Sequence, residues 1–430
     1  MFRLLRLMTL APGHFHAALV QQRMLPGVHH RAHVYAPLDA DTLTHLERIA
    51  GFNARAEHPT TWDIDLRAGG DYRERFAREQ PGNATVISGR NRPKIDLIAL
   101  AVESCAHVLA DKPWIIDHAD FPKLEAVLRQ ADLREVLVWD MLTERFEVTN
   151  WLLREFTRDE ALFGTWQSGT AERPALWLRS VHHLKKTVAG SPLVRPWWWF
   201  STEISGEAIA DVGTHLADLS LWLIAPDQPV DYATQIQMLG ADRALMLITQ
   251  EQFGELTELP VFPTELQPQV VEGNLYYAGH NSAVYALRGV HVKLETSWEY
   301  ESPTGGDTHQ CIARGTCAVA SIRQPAGAPP ELFLSATDPS RHEALAERLR
   351  EKCASLQHDF NGLSVTDDGR ELRVNIPESW RTTHEDHFAA VMEEFVRYFH
   401  APRTVPPWEH TNALARYYIT TKAAEMARSS

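Results

Sequence analysis

The sequence predicts an α/β protein in two parts: an N-terminal doubly wound parallel sheet over residues 1–140, and an α+β part over 141–430. The second part is expected to hold an open, mostly antiparallel sheet, with C-terminal helices packing back. Three observations carry this. Residues 4–10, 17–24 and 33–36 read as strand, helix and strand around the turn Ala11-Pro12-Gly13-His14-Phe15-His16. Strand and helix patterns keep alternating to about residue 136, which favours a parallel sheet. Beyond it, strand-like runs dominate at 175–179, 231–239, 274–278, 283–287, 290–300 and 319–322. Helical patterns return at 385–399 and 412–427.

A chain of 430 residues exceeds one ordinary core, and its 44% hydrophobic content suits a well-packed globular protein. No apolar run approaches the ~20 residues of a membrane span. The apolar start, residues 4–10, lacks a small-residue cleavage site and runs into Gly13, so it reads as a strand rather than a signal peptide. A net charge of -14 argues against nucleic acid or an anionic membrane as partner. Four cysteines without C-x-x-C spacing indicate neither a zinc site nor a disulfide scaffold, and a cytoplasmic location is expected.

A strand entering a Gly-bearing turn at a helix start presents free N–H groups, the usual seat of a dinucleotide pyrophosphate. Pro12, Gly13, His14 and Phe15 are therefore candidate cofactor contacts. Against the G-x-G-x-x-G pattern only Gly13 stands, with Ala11 and His16 at the outer positions. At the end of the second strand, where an acid normally meets the ribose, stand Tyr35, Ala36 and Pro37, which leaves NAD and NADP undecided. Strands are expected at 84–89 and 114–116, with a helix over 95–109 between them. Two loops at strand ends can reach a cofactor: Ser88-Gly89-Arg90-Asn91, with Asn91 the candidate, and Ala110-Asp111-Lys112-Pro113. Taken alone, Lys112 reads as a solvated surface lysine.

In the second part a helix is expected over 147–158. The stretch from Gly206 to Asp218 sets Asp211 and His215 four residues apart, on one helical face, and the apolar run 219–224 continues it until Pro226. An Asp beside a His can select its tautomer and its charge, as a general acid/base needs. A capping aspartate and a satisfied core histidine fit the same residues, and the pattern leaves both open. His182 and His183 are candidates for holding substrate hydroxyls or a carboxylate, or else lie on a solvated loop. The turn Gly305-Gly306-Asp307-Thr308-His309 offers close backbone approach and polar side chains, so Asp307 and His309 are substrate candidates. The run Trp197-Trp198-Trp199 can stack on sugar faces in part, but consecutive residues cannot all point one way. Stretches 258–268 and 324–330 read as surface loops. His384 to His387 reads as a helix start with charged first-turn residues rather than a metal pair, and no third ligand accompanies Asp211 and His215, so no metal is expected.

The nucleotide-type start, the Asp111-Lys112-Pro113 loop and Asp211-x-x-x-His215, in that order, resemble the glucose-fructose oxidoreductase and inositol dehydrogenase (Gfo/Idh/MocA) family. Segments across nearly the whole chain resemble a bacterial branch labelled "putative oxidoreductases": 12–18, 143–147, 180–183, 305–309 and 384–388. The resemblance implies a Rossmann domain followed by an open-sheet domain, with an E-K-P loop and a D-x-x-x-H pair meeting over a nicotinamide. The loop lysine falls on Lys112, with Asp111 where Glu is usual, and the pair falls on Asp211 and His215. It implies NAD, NADP not being excluded, a small carbohydrate substrate and a homo-oligomer. On this reading His215 takes the hydroxyl proton, Lys112 polarises the oxygen, and Asp211 orients the site and adjusts His215, with an exchange of roles between Lys112 and His215 left open. Two rivals are a redox-neutral glycosidase that oxidises, eliminates and re-reduces on retained NAD, and a non-catalytic sugar or nucleotide sensor.

Overall fold

The computed structural model describes residues 4–188, 191–302, 306–325 and 327–429. Six strands form a parallel sheet: β1 Leu7–Leu10, β2 Arg31–Ala36, β3 Asp63–Ala68, β4 Ala84–Ile87, β5 His107–Ala110 and β6 Val138–Asp140. Their order is β3-β2-β1-β4-β5-β6, so the sheet reverses direction between β1 and β4. Strands covered on both faces must be apolar throughout, and every residue of β1 and β4 is buried. The loops leaving β1 and β4 meet at the switch point. Gly13 and His14 both donate their N–H to the Ser88 carbonyl, at 3.0 and 3.1 Å. Gly89 has no room for a side chain, because a Cβ there would stand 2.4 Å from the Ala11 carbonyl oxygen.

Three expectations for this part are corrected. The helix expected over 17–24 is a single turn, His16–Leu19. The carbonyls that would extend it are taken by side chains instead, Gln21 by the Trp62 indole and Gln22 by Arg55. The helix expected over 95–109 is Lys94–Glu103. Cys105 then turns at φ 54°, and the following apolar residues form β5. The run Trp114 to Ile116, expected as a strand, is buried coil beyond that strand.

The second sheet has ten strands. Along its main path they run Ile236–Ile248, Asn274–Leu287, Val290–Glu301, Leu176–Lys185, Thr308–Arg314, Ala318–Arg323, Glu331–Ala336, Leu372–Asn375 and Ser364–Asp367. All these neighbours are antiparallel except Val290–Glu301 with Leu176–Lys185. Residues 274–278 and 283–287 are one continuous strand. Residues 232–235 are a helical turn capped by Asp231, not the start of a strand. Thr308 and His309 open a strand instead of closing a turn, since Cys311 and Ala313 alternate into the core. Gly305 of that motif, and Ala326 of the 324–330 stretch, lie outside the described residues. Neither expected surface loop lies simply on the surface: Phe262 and Leu266 are buried, and Gln324, Pro329 and Pro330 line a cavity.

Three helices tie the sheets together. Ala208–Ile224 is buried along nearly its whole length, and between Ala208 and Leu223 only Asp211 and His215 emerge. The helix His384–His400 starts from a Thr383–Asp386 capping box and lays Phe388, Met392 and Phe395 against Leu7 and Val86 of the parallel sheet. Glu409–Ser429 runs along the Ala208–Ile224 helix. No helix among the described residues is long and apolar enough to cross a membrane.

Candidate functional site

Beyond the carboxyl ends of β1, β5 and β6, against the second sheet, lies a cavity of about 770 Å³. Lys112 enters from the end of β5, and Asp211 and His215 from the one polar face of the Ala208–Ile224 helix. The Lys112 ammonium donates to Asp211 Oδ1. Burial alone would raise the Asp211 carboxyl, but the ammonium holds it well below the ordinary carboxylate range. Burial would equally discharge Lys112, and Asp211 more than restores its charge. Burial, with Lys112 alongside, holds the His215 imidazole well below its usual value, so it is neutral at pH 7. Its Nδ1 is buried without a hydrogen-bond partner among the described residues. Asp211 thus pairs with Lys112 and also acts on His215, raising its proton affinity by less than burial and Lys112 lower it.

The substrate candidates converge on the opposite wall. His182 Nδ1 lies 3.0 Å from Asp307, His183 N–H donates to Asp307 Oδ1 at 2.9 Å, and Lys186 donates to Oδ2 at 2.6 Å. Burial works against the Asp307 carboxylate, but His182 and Lys186 hold it ionised far below the usual range. His309 Nε2 meets Asn150 at 3.2 Å, and burial pushes the imidazole down to about 4. All four line the cavity.

The cofactor candidates divide. His14 and Phe15 line the cavity, and Gly13, His14 and Phe15 line a second one of about 350 Å³ with Asp39, Asp41, Arg48 and Arg90. Asn91 bridges the parts, donating to the Ser205 carbonyl at 2.7 Å and accepting from Lys94 at 2.7 Å. Pro12 and Pro113 are buried behind the loops, the latter after a cis peptide bond. Asp111 faces His14 and His16. Tyr35 is corrected: it points into the core against Phe76, donates to Glu79 at 3.2 Å and reaches neither cavity. The residue at this strand end faces a helix because side chains alternate along β2.

Several residues of the site carry no sequence signal of their own. Lys94 is fully buried behind Lys112, and burial lowers its ammonium to about 8. Glu144 lines the large cavity, where burial and neighbouring Glu147 push its carboxyl up to about 7 against the pull of Lys112. The Arg195 guanidinium stacks 4.7 Å from Trp199 and 4.9 Å from Trp298 and donates to the His183 carbonyl at 3.0 Å. Trp198 fills the space beside Gly13 and donates to Asp41 at 2.8 Å.

The family described as "Putative oxidoreductase C terminal domain" matches residues 152–428. The crystal structure of a "putative oxidoreductase" from Parabacteroides merdae is 37% identical, with TM-score 0.96, covering 99% of this chain and 98% of that one. More distant folds include a 3-ketoreductase from Actinomadura kijaniata in complex with NADP and TDP-benzene, 13% identical with TM-score 0.57, covering 99% and 97%. Levoglucosan dehydrogenase, in complex with NADH and levoglucosan, is 12% identical with TM-score 0.60, covering 98% and 98%. Among curated proteins there is no match. The chain belongs to this putative-oxidoreductase family.

Proposed function

We propose that this family member is a NAD(P)-dependent oxidoreductase acting on a hydroxyl of a sugar, polyol or glycoside, with residues 1–140 holding the nucleotide and 141–430 the substrate. One observation carries the reading: a charged Lys112–Asp211 pair and a neutral His215 meet in one cavity at the switch point of a parallel sheet.

The residues fit a dinucleotide. The two cavities share His14, Phe15, Arg195 and Trp199, so together they offer an elongated crevice across the switch point. The Gly13 and His14 amides are already bonded to Ser88, so the anionic bridge falls to the Arg48 and Arg90 guanidinia that line the smaller cavity. When bound, the nicotinamide supplies the hydride acceptor or donor. His215, neutral, accepts the substrate hydroxyl proton on a ring nitrogen. Lys112, kept charged and aimed by Asp211, stabilises negative charge developing on that oxygen. His182, His183, Asp307 and His309 hold the remaining hydroxyls. Exposed Leu239, Leu245 and Leu247 on the edge strand Ile236–Ile248 support self-association into a cytoplasmic homo-oligomer.

The test is fluorescence titration with NADH and NADPH, followed by a sugar and glycoside screen. Binding of one nucleotide and turnover lost in Lys112→Met support the proposal, and a protein that binds neither nucleotide contradicts it. Glu144 favours a second reading, the redox-neutral glycosidase. A carboxyl near neutrality in this cavity can protonate a departing glycosidic oxygen, a step simple alcohol oxidation does not require. Glycoside cleavage without net NADH would select it.

A further inference from the structure

Two histidines in the turn after β1, and the acid before Lys112, have no part in that hydroxyl chemistry. His14 Nδ1 and His16 Nδ1 lie 3.3 and 3.0 Å from one and the same oxygen, Asp111 Oδ2. Ser88 donates its hydroxyl to that oxygen as well, at 2.8 Å. The other oxygen, Oδ1, is buried with no hydrogen-bond partner among the described residues, and His14 Nδ1 makes no aligned hydrogen bond either. Asp111 is only 2% exposed. A carboxylate so deeply buried normally divides its donors between both oxygens. Three groups crowding one oxygen beside an orphaned one is a poor proton network.

It is a good ligand set. Nitrogen and oxygen ligands bound at about 2.0–2.2 Å stand roughly 3.3–3.6 Å apart around a tetrahedral ion and roughly 2.8–3.1 Å apart at the right angles of a six-coordinate one. The His14–Asp111 separation of 3.3 Å and the His16–Asp111 separation of 3.0 Å match these two spacings, and all three ligand atoms lie within 4.8 Å of one another. The neighbouring ammonium groups act on Asp111 only through space: Lys112 donates to Asp211, and Lys94 to Asn91 and the Lys112 carbonyl, so neither occupies the Asp111 oxygens. His14 and His16 line the large cavity, so an ion held by three protein ligands would keep a position open to it.

We propose that His14, His16 and Asp111 bind a divalent first-row transition-metal ion, with an open position facing the cavity. Two imidazoles and one carboxylate suit zinc, cobalt, iron(II) or manganese and disfavour calcium or magnesium, which demand more oxygen ligands. An oxygen ligand, from water or from a substrate hydroxyl or carbonyl, would complete the shell. The expectation of no metal rested on local spacing, and the third ligand arrives from the end of another strand. The site shares His14 with the proposed nucleotide crevice, and its test requires neither nucleotide nor turnover.

The test uses the tag-free full-length protein with Co²⁺ and Zn²⁺ as probes. Wild type is expected to retain one ion per chain after desalting and to show visible cobalt ligand-field bands. Asp111→Asn and His16→Gln, checked for folding by circular dichroism, are expected to weaken binding at least 10- to 100-fold, whereas His309→Ala keeps it. Substoichiometric binding by wild type overturns the proposal whatever the variants do. So does retention in both variants, or loss in His309→Ala.

Discussion

Asp211 and Asp218 stand on one face-to-face stretch of the same helix, two turns apart, and meet opposite treatment. Asp218 is saturated: Arg145 Nε donates to one oxygen at 2.7 Å, and Arg416 donates to the other at 2.9 Å. Arg416, with no exposed surface, also donates to Glu409 at 2.9 Å and to Asp140 at 3.2 Å, linking the parallel sheet to the last helix. Around Asp211 there is one ammonium, a neutral imidazole with an unpaired nitrogen, and open cavity. Matched charge ties elements together, whereas unmatched polarity facing a cavity is held ready for a ligand. The difference teaches which charges on this helix support the fold and which serve chemistry.

The largest effect should come from the open cluster. Lys112→Met and His215→Ala should each lower turnover roughly 10³-fold while nucleotide titration stays near wild type; thermal unfolding stays near wild type in His215→Ala, whereas Lys112→Met is also destabilised because Asp211 is left without its cation. Surviving turnover would erase the distinction. Next comes the saturated cluster: Arg416→Met leaves buried carboxylates without their cation and should cost about 3–5 kcal/mol in denaturant unfolding, with activity per folded molecule retained. A marginal loss would show the network to be dispensable.

Glu144 tests a carboxyl of the cavity by pH. Burial raises it from 4.5 to about 7, so the fold prefers its protonated form. Its contribution is therefore fully present below about 4.5 and is lost as pH rises through about 7. Glu144→Gln should match wild-type stability in acid and exceed it above neutrality by roughly 2–3 kcal/mol, read from unfolding at a series of pH values. A pH-independent difference would place the carboxyl outside this account. The smallest effect concerns Trp197, over whose ring Arg90 lies at 5.6 Å. Trp197→Ala should weaken nucleotide binding by about 0.5–1 kcal/mol, a few-fold change in Kd.

Much of this was legible in the sequence for physical reasons. Parallel strands buried on both faces leave continuous apolar runs, and a four-residue spacing puts Asp211 and His215 on one helical face whatever surrounds them. What stayed hidden depends on distant partners. The helix after Gly13 ends early because Trp62 and Arg55 claim its carbonyls. Tyr35 turns into the core because strand parity, invisible at a strand end, assigns its face. Glu144, Lys94 and Arg195 look like ordinary surface charges until folding buries them, and Asp111 acquires its histidines only when β1 and β5 converge on one crevice.

The central claim, that Lys112, Asp211 and His215 carry out nicotinamide-linked chemistry on a carbohydrate hydroxyl, is tested most directly by a single-turnover experiment. Protein loaded with oxidised nucleotide is mixed with carbohydrate substrates while the reduced-nicotinamide absorbance is followed. The account predicts a rise in wild type, transient if the reaction is redox-neutral, and no rise in His215→Ala that still binds the nucleotide. A rise of equal rate in His215→Ala would contradict it.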